Sequence, residues 1–372
     1  MEGEVRNFVK VWLSVFVSLC YCYATSKAVS KGPTRLLFLL PVVCLFLFFP
    51  LKTFTLHLGG MTAFFIVWLA NFKLLLFAFR RGPLSSDPSV SLGRFVAVAC
   101  FPIKIQQNPS QTVIKKPENS QEEEANSQST QQSHQNGLNR EMSKQSQKSP
   151  LNYVMKGLSL AMLVRVYDYS EYMHPKVLLV LYAFHIYFLL QLILDRAAAL
   201  TRAFLGLELE PQFNEPYLST SLQDFWGRRW NLMVTSILRP TVYEPTLISF
   251  TCVVARKRAR LTAIMATFVV SALMHELIFY YLGRAMPTWE ITCFFLLHGL
   301  CLIMETVLKK SLKGKFQLPK LISRTLTVSF VMVTSFWLFF PQFLRCRAEA
   351  RMHEEYAALG NFLKNISHVF IP

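Results

Sequence analysis

Two polar residues set among apolar stretches hold the chemistry this sequence can do: Asn231, closing DFWGRRWN, and His275, inside VVSALMHELIFYY. An imidazole in hydrocarbon loses its hydration, and such residues are rare in a bilayer unless they pair or react. Burial disfavours the charged ring, and a neutral imidazole can take a proton from a hydroxyl nucleophile. A structural histidine bonded across helices accounts for the same residue, and the residues alone leave both readings open. His298, in the next apolar stretch, is an alternative base or a structural partner, with no motif around it. Glu276 falls on a different helical face from His275, where an ion pair in packing is expected. Ser271, one turn before His275, is the one hydroxyl placed to act as a nucleophile.

Upstream, Thr220-Ser221-Leu222-Gln223 has the form of a capping box, with side chains satisfying free N–H groups where a helix starts. The helix that follows sets Trp226 and Trp230 on one face and pairs Asp224 with Arg228 on another. Arg228, Arg229 and Arg239 suit phosphates through bidentate contacts, and the two tryptophans suit the greasy part of the same substrate. An interfacial amphipathic helix with an aromatic belt explains Trp and Arg equally well, although Asn231 before an apolar run sits awkwardly in it. There is no Walker glycine loop, H-x-x-x-H pair, G-x-S-x-G elbow or CxxC, so neither metal nor cofactor is expected.

The elements that must hold these residues are membrane spans. Of 372 residues, 52% are hydrophobic and only 16% charged, whereas a soluble domain carries about 25% charged residues. The apolar runs fall near 8–25, 36–51, 55–79, 151–166, 176–194, 261–282, 288–308 and 322–343. They predict an all-α, polytopic helical bundle of about eight spans, with Pro41 and Pro50 kinking or ending the second. Shorter runs at 92–105 and 241–254 read as re-entrant or interfacial. His275 lies about fourteen residues into its span, roughly 20 Å along a helix.

The chain divides into an N-terminal transmembrane part, 1–105, a polar linker, 106–150, and a second transmembrane part, 151–372, together one membrane domain. The linker is rich in Gln, Ser and Asn, too polar to offset chain entropy by burial, and is expected to be disordered and without chemistry. The net charge of +17 raises the question of nucleic acid. Its Lys and Arg sit in blocks between spans, as cytosolic loops require, so anionic lipid and a phosphate-bearing substrate are the expected partners and nucleic acid is not. If 92–105 does not cross, the blocks at 27–35, 80–94, 256–260 and 309–315 all face the cytosol with DFWGRRWN. Arg345, Arg347 and Arg351 then fall on the lumenal side, with the sequon Asn365-Ile366-Ser367. The first apolar run lacks a cleavage signature and reads as a retained anchor. The eight cysteines have no ligand spacing and read as small core hydrophobes.

The order LELEPQFNEPYLSTSLQDFWGRRWN, a basic loop, then SALMHELIFYY resembles the plant wax synthase-like branch of the membrane-bound O-acyltransferases. HLGGMTAFFIVWLANFKLLLFAFRRGPLS is similar to the same branch, and the resemblance spans the chain apart from 106–150. It implies a bundle with an internal tunnel in the endoplasmic reticulum membrane, a fatty acyl-CoA donor, and Asn231 and His275 as the family's paired Asn and His. The acceptor it implies is a lipid hydroxyl: a long-chain alcohol giving a wax ester, a sterol giving a steryl ester, or a diacylglycerol. Outside this class, a transporter using His275 as a proton relay and a silent scaffold with the linker as its contact remain as rivals.

Overall fold

A computed structural model describes residues 2–85, 91–102, 150–206, 212–312 and 318–370. The expected linker, 106–150, therefore lies outside the described residues except for Pro150, which begins a helix. Among those described there is no strand, and the chain divides into two compact units, 1–103 with 212–372, and 104–211.

In the first unit the early helices are α1 (Glu2–Ala28), α2 (Pro33–Phe48), α3 (Leu56–Ala78) and α4 (Leu92–Cys100). Pro41 does not end α2, which runs through it and gives way to a 3-10 turn at Phe49–Lys52 that contains Pro50. The axis of this unit is α3, which is largely buried and changes to π-helix over Ala63–Ala70. It is bonded to α2 by Asn71, whose Nδ2 donates to the Val43 carbonyl at 3.2 Å. Lys73 is fully buried and donates Nζ to the carbonyls of Val98 and Phe101 at 2.7 and 2.5 Å, closing the C-terminal end of α4. With nine residues, α4 reaches only about 14 Å, less than half of a hydrocarbon core. Buried Phe95, Val98 and Ala99 pack its inner face, as a short non-crossing segment requires.

The second unit holds α5 (Pro150–Val166) and α6 (Pro175–Leu205), joined by a 3-10 turn, Tyr167–Tyr172. Lys156 Nζ pairs with Asp195 at 2.6 Å across the two helices.

The first unit resumes with α7 (Leu232–Leu238), α8 (Glu244–Thr251), α9 (Arg256–Gly283), α10 (Glu290–Ser311), α11 (Lys320–Arg345) and α12 (Ala348–Phe370). Closely packed α9 and α10 meet at Gly299, where an added Cβ would come 3.1 Å from Phe268 and force that neighbour to shift, so glycine suits this approach. Among the described residues seven helices are long and apolar enough to cross a membrane: α1, α2 with its terminal turn, α3, α6, α9, α10 and α11. The eighth expected span is α5, a helix of 17 residues that falls outside this set.

No apolar run announces α12, and it acts as a tie. Glu355 accepts from the backbone N–H groups of Leu56 and His57 at the start of α3, and from His57 Nδ1 at 2.6 Å. Arg351 donates to the carbonyls of Leu282 and Phe54, and Arg345 Nη2 bonds Glu290 at 2.9 Å. These two arginines, which sit uneasily with a cytosolic rule for basic residues, are engaged in bonds within the protein. Arg345 is ion-paired with Glu290, and Arg351 is held by main-chain carbonyls. Of the cysteines, Cys22, Cys100 and Cys346 are buried as core hydrophobes, while Cys44, Cys252 and Cys293 are exposed.

Candidate active site

His275 sits on α9, and its Nδ1 lies 2.7 Å from the carbonyl of Ser271, one turn earlier. A carbonyl only accepts, so Nδ1 carries the hydrogen and Nε2 keeps its lone pair. Among the described residues no group bonds that nitrogen, and the residue is only partly buried. Three aromatic rings surround it: Trp68 edge-on at 5.0 Å, Phe295 at 4.4 Å and Phe339 at 6.1 Å between centroids. The indole Nε1 of Trp68 is buried and has no acceptor among the described residues. Ser271 offers His275 its carbonyl and not its hydroxyl, so the two do not form a nucleophile–base pair.

Glu276 does not form the expected ion pair. Its Oε1 accepts from the backbone N–H and the hydroxyl of Thr292, at 3.1 and 3.0 Å. It thus fixes the first turn of α10, where free N–H groups favour an anion.

His298 on α10 is engaged on both sides. Trp226 Nε1 donates to its Nδ1 at 3.1 Å, and its Nε2 lies 2.8 Å from Thr334 Oγ1. Because indole N–H can only donate, Nδ1 is the acceptor and Nε2 carries the hydrogen. The Thr334 hydroxyl passes its own hydrogen to the Phe330 carbonyl at 2.7 Å. With zero exposure and neither nitrogen to spare, His298 is the structural partner of the two readings, not a base.

The DFWGRRWN segment is wound differently from the expected helix. Its cap is shifted by one: Ser221 Oγ accepts from the Asp224 N–H at 3.1 Å, and Asp224 Oδ2 accepts from the Thr220 N–H at 3.3 Å. Only Leu222–Asp224 is α-helical, and Phe225–Arg229 is a π turn. Five-residue spacing then replaces four, so Asp224 pairs with Arg229, at 2.8 Å, instead of Arg228. It also separates the tryptophans. Trp226 turns toward Phe268, Phe295 and His298, whereas Trp230 stacks on Phe225 at 5.4 Å.

Arg229 Nη1 further binds the carbonyls of Asn214 and Glu215, and Arg239 pairs with Glu244 in the open. Arg228 is exposed and makes no ion pair among the described residues. Asn231 ends the turn in left-handed backbone, φ 42° and ψ 65°, a conformation Asn accepts better than most residues. Its Oδ1 is buried without a partner among the described residues. Gln212 holds the stretch after it, accepting from Leu232 N–H on its carbonyl and from Met233 N–H on Oε1. No hydrogen bond joins Asn231 to His275; the described route between their segments runs through the rings of Trp226 and Phe295.

The rings that pack this region share an origin that composition does not reveal. Trp68, Trp226 and Phe339 each belong to a π-helical stretch, at Ala63–Ala70, Phe225–Arg229 and Ser335–Phe339. Such turns are rare and occur frequently at functional sites. Trp68, Phe295, Phe339 and Thr334 are invisible to motif reading because they look like any other residue of an apolar span.

Residues 209–297, which hold both Asn231 and His275, match the membrane bound O-acyl transferase family. Over 96% of both chains the protein is 48% identical to an acyl-CoA--sterol O-acyltransferase of Arabidopsis thaliana. It is 44% identical to a long-chain-alcohol O-fatty-acyltransferase of Simmondsia chinensis, over 97% of this chain and 96% of that one. The chain belongs to the membrane-bound O-acyltransferase family. It is a multi-pass membrane acyltransferase, which excludes the transporter and scaffold readings as its main activity. A third relative, a probable long-chain-alcohol O-fatty-acyltransferase of Arabidopsis thaliana, is 42% identical over 98% of this chain and 97% of its own.

Proposed function

We propose that the protein transfers a fatty acyl group from acyl-CoA to the hydroxyl of a long-chain alcohol, forming a wax ester in the endoplasmic reticulum membrane. The observation that carries the chemistry is His275 Nε2, a lone pair held free by the bond that fixes Nδ1. In this reading Nε2 takes the alcohol proton as the oxygen attacks the thioester carbonyl. The C–S bond then breaks, and the proton returns from His275 to the leaving sulfur, giving free coenzyme A and the ester. The absence of a Ser271 hydroxyl bond to His275 favours direct transfer over an acyl-enzyme. Asn231 orients the thioester or stabilises the oxyanion through the N–H donors of its carboxamide, whose buried oxygen has no partner among the described residues. Trp68 Nε1–H, beside His275 and without an acceptor, is a second donor for that charge.

Trp226, Arg228, Arg229, Trp230 and Arg239 make up the acyl-CoA segment, with Arg228 the guanidinium left for a phosphate. No resident cofactor takes part, and acyl-CoA is the co-substrate. A sterol acceptor is the second reading, favoured by the relative at 48% identity.

The test is to express the protein in a host that makes neither ester and feed acyl-CoA precursors with a long-chain alcohol, a sterol or a diacylglycerol. Wax ester as the main product supports the first reading. Steryl ester supports the second, and no ester of any kind sinks both.

A further inference from the structure

We propose that His298 is a positioning residue for this transfer: a permanently neutral link that fixes the turn bearing Trp226 to the turn bearing Phe339. The inference rests on the reading of His275 as the base. Its ground is the chain of bonds Trp226 Nε1–H to His298 Nδ1, His298 Nε2–H to Thr334 Oγ1, and Thr334 to the Phe330 carbonyl. Thr334 is the residue immediately before the Ser335–Phe339 π turn, and Trp226 lies within the Phe225–Arg229 π turn. The link therefore joins two of the irregular turns that deliver rings to the surroundings of His275, Phe339 directly and Trp226 through Phe295.

A charged His298 would set an N–H against the indole N–H, two donors with nothing between them, so the bonding pattern selects the neutral ring. Simple filling of space would need no such pattern. The π turn held by this link also carries Arg228 toward the surface, so its loss should be felt first in the binding of acyl-CoA.

The experiment compares His298→Leu, His298→Gln, Trp226→Phe and the double variant His298→Leu with Trp226→Phe. Each is assayed in membranes at matched protein level, for KM of acyl-CoA and for kcat. His298→Leu, which removes the bonds to both Trp226 and Thr334, is expected to lower kcat/KM about tenfold, mainly through KM, within the range for lost buried hydrogen bonds. Trp226→Phe, which removes only the bond the two residues share, should act the same way to a similar or smaller extent, and the double variant should be no worse than His298→Leu, which already breaks that bond. His298→Gln, which keeps an acceptor and a donor, should recover to within about threefold of wild type, with an unaltered pH–rate profile.

The proposal is overturned if the single losses multiply in the double variant, or if Gln is as impaired as Leu. Should His298→Leu fail to accumulate, wild-type kinetics in Trp226→Phe overturn it instead. Failure of the base assignment would look different: His275→Ala would stay active, while His298→Gln would shift the pH profile.

Discussion

The two histidines at the centre of the membrane part, His275 on α9 and His298 on α10, occupy sequence settings that are hard to tell apart. Each interrupts an apolar helix, and both pack against the adjacent Phe294–Phe295 pair, His275 on Phe295 at 4.4 Å and His298 on Phe294 at 4.2 Å. They differ in how their lone pairs are used. His275 gives its hydrogen to a main-chain carbonyl and keeps the opposite nitrogen open, whereas His298 is clasped at both nitrogens and sealed from solvent. A carbonyl on one side makes a base; an indole and a hydroxyl on two sides make a brace. Depth in the membrane does not separate the roles, because desolvation acts on both rings.

The sharpest way to break this contrast is His275→Ala. Loss of a positioned base typically costs 10²–10⁴-fold, so ester formation should fall by about that factor with the protein still inserted. Activity near wild type would erase the distinction from His298. Next in size is Asn231. Because the backbone there is left-handed, Asn231→Gly removes the carboxamide without forcing a Cβ into strained geometry. Turnover should drop by roughly 10²-fold, as when one oxyanion donor is deleted, and unchanged kcat would exclude that role. Trp68→Phe keeps a ring against His275 but removes the buried N–H. A loss of about tenfold in kcat with KM little changed is expected if that donor serves the transition state.

The smallest effect concerns a third histidine, His57, whose partner Glu355 belongs to the tie made by α12. Burial raises the Glu355 carboxyl, but hydrogen bonds from the His57 ring and from the His57 and Leu56 N–H groups outweigh it, holding the carboxyl below its ordinary value. A carboxyl lowered in this way stabilises the fold above its unfolded pKa, about 4.3, and that contribution is lost as pH falls through the lower folded value. The detergent-solubilised protein should therefore melt at progressively lower temperature below about pH 4.3. Glu355→Gln should lack that step and melt lower at pH 7. An identical acid dependence in both would remove Glu355 from the account.

Much of this architecture could be read from the chain, and the reason is thermodynamic. Apolar runs long enough to cross are costly in water, so all seven of the span-length helices, and His275 within one of them, declare themselves by composition alone. The short α4 was legible for the same reason, being apolar yet too brief. What escaped depends on contacts between residues distant in sequence or on helix pitch. The shift from Arg228 to Arg229 as the partner of Asp224 follows from one π turn that propensity does not mark. Glu355 and His57 meet across 298 positions. Their helix α12 is amphipathic and tied by polar bonds, so a search for apolar stretches ends at 343 and passes it by. Likewise Glu276 looked like half of an ion pair, when the free N–H groups of α10 were its partner all along.

The widened turns also constrain how the chain can change length. Each carries one residue more between bonded partners than an ordinary helical turn, so each couples the residue count to the azimuth of everything that follows. Deleting Gly227 would let the segment relax into regular α-helix and swing its neighbours by about 100°, carrying the Trp226 indole off the imidazole it now reaches. Indels among homologues should therefore gather in connections such as 284–289 and avoid 63–70, 225–229 and 335–339.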